Sequence, residues 1–145
     1  MSGAEARVER FLGEAPADQR TTLRQRAAWS FIMAGGVLGD TGLVARWRKV
    51  AGSDSMIAYD ALAAARAGDR ARAERLLARA VRDTAADVGN LFALASTAEA
   101  LNRPAEALQF LTRLDSARVE SQSSSSDMLL LVRAMPRRAA LAASL

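Results

Sequence analysis

Arg72, Arg75, Arg79 and Arg82 fall at steps of three, four and three, which strings them along one face of a single helix. Guanidinium groups fork onto carboxylates and phosphates. The chemistry such a row allows is binding of an acidic protein, nucleic acid or an anionic surface. Asp69, three before Arg72, and Asp83, four after Arg79, offset part of the charge through local pairs, so a solvated outer face is the plainer reading. Single-strand readers interleave cations with aromatics that stack on bases. No aromatic lies between Tyr59 and Phe92, which speaks against nucleic acid. Other chemistries lack their residues. The chain has no His and no Cys, so the commonest general base, the thiolate nucleophile and the commonest soft metal ligands are missing. Gly35-Gly36 sits in an apolar run with no Lys-Ser/Thr after it, unlike a phosphate loop. Carboxylates are scattered among arginines, and no pair is set apart in an apolar context. No catalytic role, cofactor or metal site is expected.

The elements that carry these residues must be helices. Half of the 145 residues are hydrophobic, and Ala and Leu dominate while β-branched residues are sparse, a composition that favours helix. The net charge is +4, from 19 Arg and the single Lys49 against 16 acids. Arg with Ala in such numbers points to a high-GC bacterial genome before it points to a ligand. The longest apolar run, Ala27 to Gly39, falls short of the roughly 18–20 residues needed to span a bilayer. The start, Met-Ser-Gly-Ala-Glu, has no basic stretch leading into an apolar one, so no signal peptide is expected. A cytoplasmic location is the default, and a periplasmic one stays open if the chain is a fragment of an exported protein.

Along the chain, Val8, Phe11 and Leu12 share one side of a first helix, and Asp18 after Pro16 is placed to cap a second that runs to Leu38. Gly39-Asp40 and Gly42 form a turn, and Leu43, Trp47 and Val50 give the next helix its inner face. The organisation comes from a self-match. Ile57-Ala61-Ala64-Gly68-Ala73-Leu77-Ala80 aligns without a gap on Leu91-Ala95-Ala98-Asn102-Ala107-Leu111-Leu114, each member standing 34 beyond its counterpart. Each position keeps its type, and a fixed period of this length marks a helix-turn-helix repeat. The expected helices are 55–67 with 70–83, then 88–101 with 104–115. Ser121 to Ser126 reads as a flexible connection. Asp127 to Met135 resumes as helix, and Pro136-Arg137-Arg138 occupies the place of the next turn, Pro136 being 34 beyond Asn102.

These residues resemble the tetratricopeptide repeat. Leu91, Leu94 and Ala95 fill its first-helix places, Asn102 its turn, and Ala107, Leu111 and Leu114 its second helix; Ala61, Gly68, Ala73, Leu77 and Ala80 do the same one repeat earlier. Ala64 and Ala98 stand where the family has an aromatic, Ala85 where it has a closing proline, and Asp60 where the next repeat has Leu94. The resemblance implies an all-α, right-handed helical-repeat solenoid of antiparallel helix pairs, with degenerate helices over 4–52, two clear repeats over 54–116, and a capping or truncated repeat over 127–145. It implies a non-catalytic scaffold or adaptor that binds a partner protein or peptide on the concave face, as in bacterial secretion or polysaccharide-export assemblies. That face would carry Trp29, Met33, Ala58, Leu62, Arg66, Phe92, Ser96, Glu99, Leu130 and Arg133. The alternative is a basic module that holds nucleic acid or another polyanion on the Arg72, Arg75, Arg79 and Arg82 stripe. The near-continuous apolar residues Met128 to Val132 add self-association through the C-terminal helices as a further expectation.

Overall fold

The computed structural model describes residues 3–52, 56–83, 87–120 and 125–144, and among them it is all helix. The helices are α1 (Gly3–Glu14), α2 (Ala17–Leu38), α3 (Thr41–Ala51), α4 (Ile57–Arg66), α5 (Arg70–Asp83), α6 (Val88–Ala100), α7 (Pro104–Glu120) and α8 (Ser125–Ser144). The most extensive packing joins α2 to α3, α4 to α5, and α6 to α7. A second set of contacts joins α2 to α4 and α4 to α6, while α8 packs on α7 and α6. The first helices of the three pairs therefore lie side by side, with α4 in the middle.

Three turns of one construction hold the pairs. Each begins with a residue in the left-handed region: Gly39 (φ 75°), Gly68 (φ 82°) and Asn102 (φ 60°). In all three, the amide of the following residue reaches back to a carbonyl five residues earlier: Asp40 to Gly35 (2.9 Å), Asp69 to Ala64 (2.9 Å) and Arg103 to Ala98 (2.8 Å). The left-handed residue itself donates to the carbonyl three before it. These paired bonds satisfy the orphan carbonyls of a helix end. Asp40 and Asp69 then cap the next helix, accepting from Leu43 N (2.8 Å) and Arg72 N (3.1 Å), while Gly42 lies inside α3. Gly68 comes sooner after Gly39 than Asn102 comes after Gly68. The cause is that α3 is three residues shorter than α5 and α4 three shorter than α6, against one more residue in the connection.

The matched positions of the repeat are the packing positions. Ala61, Ala64, Ala73, Ala80, Ala95, Ala98 and Ala107 have no exposed surface, and Ile57, Leu77, Leu91, Leu111 and Leu114 are buried around them. Small residues let paired helices approach while the large ones fill the space between pairs. The two adjacent glycines of α2 serve the same end. A Cβ on Gly35 would stand 2.8 Å from Val44 of α3, and one on Gly36 would stand 3.1 Å from the Tyr59 carbonyl of α4.

Several expectations need correction. Pro136 makes no turn: α8 continues through it to Ser144. The other turns need a positive φ, and the proline ring locks φ at a negative value, so Pro136 cannot take the place of Gly68 or Asn102. Asp18 does not cap α2. The cap position is Pro16, without a side-chain bond, and Asp18 instead sits in the first turn, where the helix dipole favours its charge. Phe11 is exposed, because α1 turns Glu5 and Leu12 inward instead. Glu5 is 2% exposed and accepts from Trp47 Nε1 at 2.9 Å and from Arg46 Nε at 3.3 Å. Trp47 in turn stacks on Phe31 with ring centroids 4.5 Å apart. Asp60, in the place of buried Leu94, is held in an ion pair with Arg48 of α3. The expectations for Ser55, Ala85 and 121–124 lie outside the described residues.

Candidate functional site

Four helices converge on one groove. Its floor is Leu62 of α4 with Phe92 and Ser96 of α6, its far edge is Val37 of α2, and α8 supplies the opposite wall with Val132, Arg133, Pro136 and Arg137. The groove is open to solvent and has a volume of about 550 Å³, and Arg66 and Glu99 complete the lining. Each wall has a structural cause. Gly39 places the α2–α3 turn against the end of α4, where a Cβ would come within 2.9 Å of the Arg66 Cβ, so Arg66 sits at the corner of the two pairs. Leu62 and Ser96 are one repeat period apart, and side-by-side packing of α4 and α6 brings them together.

Arg137 fixes the α8 wall. Its guanidinium donates to Ser96 Oγ at 3.2 and 3.3 Å, forms an ion pair with Glu99, and lies 5.3 Å from the centroid of the Phe92 ring. A cation over an aromatic face is attracted by the ring quadrupole, so one side chain ties α8 to three residues of α6. Glu99 Oε1 is buried with no hydrogen-bond partner among the described residues; the other carboxylate oxygen is the one that Arg137 engages.

Of the ten residues named for the concave face, six line this groove together: Leu62, Arg66, Phe92, Ser96, Glu99 and Arg133; Ala58 is fully buried and lies outside the lining. Leu62, Phe92 and Ser96 are nonetheless nearly inaccessible. They shape the floor more than they offer surface to a ligand. Trp29 and Met33 lie outside the lining. They precede Val37 at steps of four on α2, with Trp29 exposed and Met33 packed partly against the core. The Leu130 side chain lies outside the described residues. Arg137 was not legible as a site residue because the turn expected at Pro136 separated it from Arg133. On a continuous helix the two are one turn apart.

The arginine stripe stands where its spacing put it. Arg72, Arg75, Arg79 and Arg82 are all exposed on α5, and Arg79 is paired with Asp83 at 3.2 Å. Beside Arg72, a shallow cleft of about 330 Å³ is lined by Arg48, Lys49 and Asp60 among others. Exposed pairs and solvated cations of this kind contribute little to stability. Among the described residues, no group of His, Cys, Asp and Glu could hold a metal ion, and no helix is long and apolar enough to cross a membrane. Comparison of the chain with protein-family models, with curated proteins and with solved structures found no match.

Proposed function

We propose that this chain is a tetratricopeptide-like helical-repeat scaffold, and that the groove between α4, α6 and α8 receives a peptide or helix of a partner protein. The resemblance draws support from the backbone. The turn hydrogen bond of one repeat, Asp69 to Ala64, recurs one period later as Arg103 to Ala98, and the first helices of successive pairs lie side by side. The observation that carries the functional reading is the groove itself: apolar side chains of Val37 and Val132 above a closed floor of Leu62 and Phe92, bordered by charged side chains from three helices. Pockets that bind peptides combine these two features. Nothing in its described lining arranges a nucleophile with a base, so binding without catalysis is the role proposed.

The competing reading places a polyanion on the α5 stripe. It draws support from four exposed arginines on one helix, but Asp83 compensates one of them, and no aromatic residue is interleaved with the stripe. The deciding experiment selects binders from a random peptide library displayed on phage and maps them on isotope-labelled protein by NMR. Shifts should concentrate on α4, α6 and α8 around Leu62, Phe92 and Ser96. Shifts confined to α5, or no selectable peptide, would overturn the reading.

A further inference from the structure

Resting on that groove reading, we propose that the groove selects an acidic partner segment, seating an apolar side chain against Val37 and Val132 while carboxylates meet Arg66 and Arg133. The charge balance of the lining carries this. Among the described residues, three arginines and one glutamate border the groove, and Arg137 is committed to Glu99. Arg66 and Arg133 are exposed and have no ion-pair partner among the described residues. They reach the groove from different helices, α4 and α8, so their charges converge from two sides on the same ligand. Arg forks onto carboxylates in bidentate fashion, and low-dielectric walls focus the field between such groups.

The same lining disfavours other ligands. A basic segment would meet uncompensated like charge. Nucleic acid would supply anions, but the Phe92 ring in the groove is already covered by Arg137, leaving it no open face on which a base could stack. What fits both floor and rim is a segment alternating aliphatic side chains with Asp or Glu.

The test uses three fluorescein-labelled amphipathic peptides about 16 residues long. They share one leucine pattern and carry Glu, Gln or Lys at the polar positions. Fluorescence anisotropy against the full chain should rank Glu above Gln by roughly 2- to 30-fold, the range for two exposed ion pairs, with Lys weakest. Arg66→Gln and Arg133→Gln should each weaken the Glu peptide by roughly 2- to 5-fold and leave the Gln peptide unchanged. Arg75→Gln with Arg82→Gln should leave both alone. Equal binding of all three peptides in the groove would overturn the acidic preference while the peptide-binding reading stands. Binding by none would also overturn it, and the phage selection then judges the groove separately. Loss of binding through the Arg75/Arg82 variant, or tight groove binding of a labelled oligothymidylate, would overturn it in favour of a polyanion.

Discussion

Placing a methyl group on Gly36 tests how closely α2 and α4 approach, and that spacing sets one edge of the groove. Glycine inside a helix is unfavourable by roughly 0.5–1 kcal/mol relative to alanine. On propensity alone, Gly36→Ala would therefore stabilise the protein. Packing opposes this. The new Cβ would lie 3.0 Å from Tyr59 Cδ1, 3.1 Å from the Tyr59 carbonyl oxygen and 3.3 Å from Tyr59 Cβ. The tyrosine ring is buried and its hydroxyl donates to the Gly89 carbonyl at 3.0 Å, so neither ring nor backbone can easily give way. Overpacking of this kind costs roughly 1–3 kcal/mol, which exceeds the propensity gain and leaves a net loss of about 1 kcal/mol. Gly13 in α1 is the control, since a Cβ there meets nothing within 4 Å. Gly13→Ala should stabilise by up to about 1 kcal/mol, so the two variants should differ by about 2 kcal/mol. At roughly 2–4 °C per kcal/mol for a chain of this size, their melting temperatures should separate by roughly 4–8 °C. Urea and thermal unfolding followed by circular dichroism measure both. If Gly36→Ala melts at or above the temperature of Gly13→Ala, the close approach of α2 to α4 is wrong.

Two further outcomes follow from the turn and the groove wall. Asn102 holds a φ of 60°, so Asn102→Ala should lose about 1 kcal/mol to left-handed strain while Asn102→Gly loses nothing; equal urea midpoints for the two would refute the turn geometry. Arg137→Met removes the donor to Ser96 and the partner of Glu99, both partly screened by solvent, and should cost about 1–2 kcal/mol. Amide exchange along α8 should then accelerate more than along α4, and unchanged α8 protection would show that Arg137 does not hold the wall.

Much of the fold was legible because the signals were local. A left-handed residue between two amphipathic runs announces a turn, and Gly68 and Asn102 do so one period apart. Alanines at helical spacing announce close packing, and those of the repeat are all buried. What failed depended on partners distant in sequence or on a local rule that the pattern obscured. Asp60 looked misplaced because its partner, Arg48, belongs to the preceding pair. Glu5 gave no sign of burial, since the donors that make it tolerable, Trp47 and Arg46, stand 42 and 41 positions away in the chain. Pro136 fell where the period asked for a turn residue, and the period outweighed the elementary point that proline cannot adopt a positive φ. That single choice also hid Arg137, whose position on α8 has meaning only when the helix is continuous.

The two aligned repeats also work as an internal comparison, and what differs between them locates the groove. Positions that hold the helices together keep their type: Ala61 with Ala95, Ala64 with Ala98, Leu77 with Leu111. Positions that line or underlie the groove do not: Ala58 stands against Phe92, Leu62 against Ser96, and Ala65 against Glu99. Packing explains the first set, because a methylene added between paired helices costs stability. The second set lies where α4 and α6 meet α2 and α8, neighbours that differ between the two pairs. A large side chain in one repeat is answered by a small one in the next, so Leu62 and Phe92 close the floor side by side without projecting from it. A groove built in this way is specified by few residues. Of the charges that border it, Arg137 is paired with Glu99, so the acidic preference proposed above turns on Arg66 on α4 and Arg133 on α8.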